Sequence, residues 1–578
     1  MVVKYVVSPH GRRGTYPNIT SAVRAWSTLH AASRRPRAAL IEIVTGHYEE
    51  IQTLTVRGEV RLVAVDGPGS VVVNRLRGTV LETYGSVAVE GLVLTSRDAD
   101  HDVLACAQGT LTLDRVEVRT PGGVGTHARP NTQVTLRDSV FLHGRTLFTA
   151  SGGTIERCRF TDAADNAIAA IEGARLSVRG CRIEGSRIHG VRASDAHVQV
   201  ADCELTGTGN AALAADTRAE LAVTDCVITA VHAEGVMFIE QSRGSVDRTR
   251  VTDARHGVGV ASGADPVVRD CVFTACRDTG ITVRASARGR FEGCRIVDAR
   301  NIAVFSTEGG APEVIDCRVS GGNVGIAVTE GGRGRFTRVG IEDLPSSALR
   351  VWNGGGGVFE HVRVDRCTLG LDTTGDGGTT ADLTDVVFHD VETAVTALGQ
   401  SRVKLKDVSL ERGAVGFFAG EDAHVLAHDC AVTTVSIGGA IASGKGKLFA
   451  RNLTVTGSEG SGLGANESGY LDVANSEFTD CAMGGALFAD EAGGRLVHCT
   501  VNGTQGPAVR HDGRVDIVGL RSSLPVVRET VRTVDQPQQT IINHYDGTVF
   551  IGPVNNSQIA WDNQQVIQRQ TNEDGADT

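Results

Sequence analysis

Aromatic residues are scarce in this 578-residue chain, at 4% of the total with three tryptophans, and methionine is nearly absent at three. So small a supply removes the usual platforms on which sugar rings stack. Positive charge is in deficit as well. Lys and Arg number 57 against 68 Asp and Glu, a formal net charge of −11 that favours solubility and gives no global support to nucleic-acid binding. No apolar run approaches the length of a membrane span, and the opening MVVKYVVSPHG carries no apolar leader segment. Among 13 cysteines no Cys-x-x-Cys occurs, so the common spacing of metal and dithiol sites is missing. An odd number of thiols points to a reducing compartment, and a cytoplasmic location is expected, with export by a route that needs no N-terminal signal left open.

What the chain does contain is a period. Cys158, Cys181, Cys203, Cys226, Cys271, Cys294 and Cys317 are separated by 23, 22, 23, 45, 23 and 23 residues, with Thr249 filling the skipped place. The phase returns at Cys430 and Cys499, three periods apart, and extends upstream to Leu92 through Val116 and Ser139. From Leu92 to Cys499 the mean period is about 22.6 residues. A period in this range is the signature of a solenoid. Within each repeat, three short alternating runs are separated by turn residues, as in HGVRASDAHVQVADCELTGTG from His189. Abundant glycine, 71 residues, suits a turn at every corner. These features predict an all-β fold, a right-handed parallel β-helix of about 20 coils of 22–23 residues. At the spacing of neighbouring strands the stack would be roughly 90 Å long.

Residues two apart on a strand share a face. The apolar partner of each cysteine (Phe160, Ile183, Leu205, Ile228, Phe273, Ile296, Val319) therefore makes that face the interior. The thiols are expected to pack as small hydrophobes, with a second ladder at Cys276, Cys367 and Cys481. No metal and no cofactor is expected.

Catalysis on such a scaffold needs acids, Arg or His on neighbouring coils. The outward position after the recurrent Gly runs Arg192, Ala214, Met237, Gly259, Thr282, Phe305, Ala327, Arg350, Asp372, Thr396 and Phe418, without an acid pair on adjacent coils. His189 and His256 precede the Gly three coils apart and read as solvated turn residues. No catalytic residue is assigned. One outward column is rich in arginine: Arg159, Arg182, Arg250, Arg295, Arg318 and Arg363 form a candidate anion-binding stripe. The favoured alternative pairs these arginines with Asp202, Asp225, Asp270 and Asp316 across coils, because like charges stacked directly would repel.

Residues 1–75 are read as the N-terminal cap and first coils, because an open solenoid end invites association. Asn18 or Thr20 can cap a helix carrying Ala22, Val23, Trp26, Leu29 and Ala32 on its apolar face. Thr-Tyr-Pro-Asn-Ile, then Ile43, Val44, Gly46, Tyr48 and Glu50 in the pattern Ile-Val-x-Gly-x-Tyr-x-Glu, resembles the opening of the pectin-lyase-like superfamily. That group includes pectin methylesterases and the carbohydrate-binding/sugar-hydrolase β-helix repeats, and the resemblance spans about residues 1–520. It implies a fold and not a chemistry. The esterases' Gln-Asp-Thr-Leu and Asp-Phe-Ile-Phe-Gly segments, the polygalacturonases' Gly-His-Gly and the pectate lyases' Asp/Arg cluster have no counterpart here.

Repeats are assigned to 76–520 and a linker to 521–540. The segment 541–571 is rich in Asn and Gln with short alternating runs, and 572–578 reads as a disordered acidic end. Val549, Ile551, Asn555, Asn556, Gln558, Ile559, Trp561, Asn563, Val566 and Gln568 form a pattern that resembles bacterial amyloid signalling motifs, similar in logic to the RIP homotypic interaction motif. The resemblance implies self-assembly or recruitment of a partner protein. A C-terminal cap on the solenoid is the alternative. Taken together, the sequence favours a non-enzymatic β-helix recognition or scaffold protein with a C-terminal assembly motif. The alternative is a carbohydrate-binding or carbohydrate-active β-helix, with a polysaccharide or other polymer along the coils.

Overall fold

Three short strands per coil cannot stand alone, and each here is completed by its equivalents one period away. In the computed structural model, Arg175–Arg179 pairs in parallel with His197–Ala201, which pairs in turn with Glu220–Thr224. Arg182–Glu184 and Val191–Ser194 stack on their own equivalents in the same way. The fold is the parallel β-solenoid that the period predicts. The structure describes residues 2–10, 14–32, 38–512 and 514–528, together with strands at His544–Tyr545, Thr548–Val549, Ile559–Ala560 and Ile567–Gln568. Of the tail residues singled out in the sequence, Val549, Ile559 and Gln568 fall in these two-residue strands. The other seven (Ile551, Asn555, Asn556, Gln558, Trp561, Asn563 and Val566) lie outside the described residues.

The chain divides into two compact units. One comprises Met1–Glu342 and Val351–Arg363, the other Asp343–Arg350 and Val364–Thr578. In both, alternation places one side of each strand in a dry interior: Val178, Val200 and Val223 in the first, Val425, Leu448 and Leu471 in the second. Stacked coils align identical side chains, and Phe336 and Phe359 lie parallel with ring centroids 5.1 Å apart.

The cysteine column has a reason beyond packing. The residue before it sits in the left-handed region, with φ of 54° at Asp202, 53° at Asp225 and 53° at Asp316. Asp and Asn tolerate that conformation better than most residues. At the resulting corner the thiol donates back to the carbonyl two residues earlier, as in Cys203 Sγ to Ala201 at 3.1 Å and Cys271 Sγ to Arg269 at 3.2 Å. Where the column changes residue, a hydroxyl makes the same bond: Ser139 to Arg137 at 2.6 Å, Thr249 to Asp247 at 3.1 Å, Ser476 to Ala474 at 2.9 Å. Where the column carries Cys, Ser or Thr, the side chain thus closes the corner, while Leu92 and Val116 fill the same position by packing alone. All 13 cysteines are buried and free.

The N-terminal end is covered by a strand, Val2–Val7, paired in parallel with Ala38–Ile43, and by the helix Ile19–Ala32. Asn18 is the capping residue, its Oδ1 accepting from Ser21 N at 2.8 Å. Trp26, Ala22 and Val23 are buried, but Leu29 is 60% exposed, so the apolar face is narrower than the sequence suggested. The helix ends over coil backbone at Trp26 and His30, and Leu29 falls on the side away from it. Glu50 closes this end: its buried carboxylate accepts from the backbone of Ile19 at 3.1 Å and Thr20 at 3.4 Å, and from the Thr20 hydroxyl. A carboxylate at a helix N-terminus gains from unpaired N–H groups and from the helix dipole together. Glu50→Ala is expected to lose about 2 kcal/mol, and Glu50→Gln about half of that, read as shifts in the denaturant midpoint of full-length protein.

Candidate ligand-binding face

Immediately before the recurrent Gly runs a column on the outer side of the first unit. Glu234, His256 and Thr279 occupy it on three successive coils and are in direct register. Three residues along, Met237, Gly259 and Thr282 form the neighbouring outward column. Gly259 leaves a notch between them, and the Cγ of Glu234 lies 2.8 Å from the place where a Cβ would stand. A side chain there would displace the carboxylate.

The histidines are not the solvated turn residues expected from the sequence. His189 is 6% exposed, its Nδ1 3.2 Å from the Ala211 carbonyl and its backbone N–H donating to Asn166 Oδ1. His256 is half-buried, its Nδ1 2.7 Å from the Thr279 hydroxyl. Burial lowers the pKa of both below the usual imidazole value, although Glu234 and an aspartate beside each pull the other way. Both rings are therefore neutral at pH 7, and the Nε2 of His256 lies 4.0 Å from the Asp278 carboxylate. The physical reason for the correction lies in the corner: the chain turns at the glycine and tucks the preceding side chain under the next coil.

On the preceding coils, Arg192 Nε donates to Asp216 Oδ2 at 2.8 Å. Burial works to raise the Asp216 carboxyl, but the Arg192 charge and hydrogen bond, together with the Ser194 and Thr217 hydroxyls, offset it and hold it below the ordinary value. Toward the other end the same columns turn apolar: Thr279 is followed by Ile302 and Val324, Thr282 by Phe305 and Ala327. Phe305 and Trp352 are half-buried on this face, stacked with centroids 6.4 Å apart over Ile302, Val324 and Ala327. The aromatic platform that composition argued against is present because two of the few aromatics converge.

Asp216 and Glu234 stand apart along the strand direction. Glu234 is the backbone neighbour of Ala212, and Asp216 lies four residues beyond it, roughly 13 Å along the strand. That exceeds the separation at which an acid and a base or nucleophile flank one glycosidic bond.

The arginine column is exposed throughout, as expected, but it is interrupted. Arg159 lies beside Arg182, and Arg295 beside Arg318, whereas Glu204, Val227 and Val272 fill the places between. Arg182 donates to Glu204 at 2.9 Å. Asp202, Asp225 and Asp316 do not pair with this column, contrary to expectation; they bond Arg179, Arg248 and Arg338 instead. The left-handed residues project along a ladder of their own, two positions before the stripe.

A cluster in the second unit brings ligand atoms of Asp365, His389 and Asp390 within 4.8 Å of one another. Arg366 already holds Asp365 at 2.6 Å and Arg412 holds Asp390 at 2.9 Å. The arrangement is an ion-pair network with its charge satisfied internally.

Residues 103–230, 211–369 and 369–520 match the family model for a right-handed β-helix region. The chain belongs to that family. Among solved structures, this right-handed β-helix protein is similar to a pectin methylesterase from Aspergillus niger, at 13% identity over 35% of this chain and 76% of that one, with a TM-score of 0.28. It is also similar to a periplasmic alginate epimerase, at 12% identity over 61% and 83% with a TM-score of 0.30, and to the Dettilon tailspike protein, at 12% identity over 58% and 66% with a TM-score of 0.32. These likenesses concern the fold alone. No curated protein matches it.

Glu234 escaped the sequence reading because the outward column was counted from the residue after the glycine. Reading the position before it, His189, Ala211, Glu234, His256, Thr279, would have shown an acid between two histidines.

Proposed function

We propose that this protein is a carbohydrate-binding β-helix whose first unit takes a glycan chain along the face from Arg192 to Phe305. The observation that carries the reading is the passage, on successive coils, from Glu234, His256 and Thr279 to the Phe305–Trp352 stack. A sugar ring offers an apolar face and a rim of hydroxyls. Stacked aromatics suit the first, and a carboxylate, neutral imidazoles and threonine hydroxyls suit the second. The absence of a side chain at Gly259 lets the Glu234 carboxylate lie across this face. The wide separation of Asp216 and Glu234 favours binding over hydrolysis by a carboxylate pair.

Isothermal titration of full-length protein with a panel of neutral and uronate oligosaccharides tests the reading. At least one class is expected to bind, with affinity weakened about tenfold or more in Glu234→Gln and in Phe305→Ala. Failure of the whole panel, or binding that neither substitution changes, sinks it.

A further inference from the structure

Lysine is distributed unevenly in this chain. There are five against 52 arginines, and four of them, Lys404, Lys406, Lys445 and Lys447, fall within 44 residues. The fold of the second unit gathers them on one sheet. Arg402, His424 and Lys447 stand in direct register on three successive coils, and Lys404 and Lys406 alternate outward on the strand that carries Arg402. Beside this ladder is a cavity of about 460 Å³ lined by Arg402, His424, Lys445 and Lys447, with Gln400, Asp422, Gly377 and Ser468.

Three features set it apart from the paired charges elsewhere. Arg402, Lys445 and Lys447 form no ion pair among the described residues, whereas Lys404 is engaged with Asp382 at 3.6 Å and Arg451 with Asp472 at 3.0 Å. Asp422 is the single carboxylate in the lining, so three cations face one anion. No aliphatic side chain lines the cavity, and the nearby Phe449 and Tyr470 rings stand beside His424 and Lys447 without entering the lining. Burial, then Lys447 and Arg402, lower the pKa of His424, as a locally positive field requires. Lysine ammonium groups act as mobile point charges with three donors each, suited to a compact anion rather than to the fixed fork of a carboxylate–guanidinium pair.

We propose that this cavity is a binding site for a compact, multiply charged tetrahedral oxyanion, a phosphate or sulfate group, held by Arg402, Lys445 and Lys447 with His424 and Gln400 as further donors. The site is independent of the glycan face, since it lies in the other unit and shares no residue with it.

The test is calorimetric titration of full-length protein with pyrophosphate, with sulfate and, as a dicarboxylate control, with glutarate. Pyrophosphate or sulfate is expected to bind and glutarate to bind at least about tenfold more weakly. Lys445→Gln/Lys447→Gln is expected to weaken oxyanion binding about tenfold or more, since each lost charge-assisted hydrogen bond is worth that much. In the bound state the His424 imidazole should titrate at higher pH than in the free protein, because the anion cancels the field of Lys447 and Arg402. The comparison of pyrophosphate with sulfate identifies the group. Absence of oxyanion binding, equal binding of glutarate, or an unchanged affinity in the double variant each overturns the proposal. Both lysines are exposed, so the substitutions leave the coil packing intact.

Discussion

Native protein treated with N-ethylmaleimide at pH 7.5 should remain unlabelled over minutes, and the same protein in guanidinium should take up thirteen equivalents. Every thiol is buried in the solenoid interior. Burial pushes Cys276 up to about 12 and Cys367 and Cys430 up to about 11. Only the thiolate attacks, so at fixed pH a rise from 9.0 to about 11 alone slows Cys367 about a hundredfold, before occlusion is counted. Within the ladder the thiols adjoin one another, each donating to a backbone carbonyl. Cys158 lies at one end with its pKa lowered by its neighbour Cys181, whereas Cys181 is raised to about 12 by the same contact. Cys317 is likewise lowered through its neighbour Cys294, so slow labelling, when it comes, should begin at Cys158 and Cys317. Mass spectrometry of partially labelled protein checks both statements. Rapid modification of several cysteines in native protein would mean that the column does not pack as described.

Gly244→Ala should destabilise the first unit by on the order of 3 kcal/mol or more. Gly244 lies at φ of +143°, in register between Leu221 of one coil and Pro266 of the next. Two effects add. Residues with a Cβ are strained in that region by about 1–3 kcal/mol. The added methyl would also overlap the Leu221 carbonyl oxygen, a backbone atom held in place by the coil stack. Gly173→Ala is the control. Gly173 also has positive φ, at +80°, but a Cβ there meets no atom within 4 Å, so the strain of about 1–2 kcal/mol stands alone. Thermal and denaturant unfolding of the two variants should separate by the contact term. Equal losses would show that the coil above Gly244 yields without cost.

How much of this was legible in advance follows from what a repeat encodes. A stack of coils imposes the same environment at the same phase, so the Cys203 and Phe273 columns, the interior face and the turns recur in sequence as they recur in space. Asn18 as a cap was legible too, since capping is local. Contacts that are unique to one place were not. Leu29 is 60% exposed although it was read as part of the apolar face, because Trp26 and His30 are the residues that meet the coil. Glu50 closes a helix that begins 31 residues earlier in the chain.

Thus sequence alone determined the solenoid, its period, its interior and its N-terminal cap, because each rests on a pattern repeated or confined within a few residues. The tertiary structure decided which outward side chains act together. Whether His189 and His256 face water or tuck beneath a coil depends on how the chain bends at a glycine, and no periodicity records that bend. Likewise Phe305 meets Trp352, and Lys447 meets Arg402, only once coils 45–47 residues apart are stacked, and binding chemistry depends on those meetings.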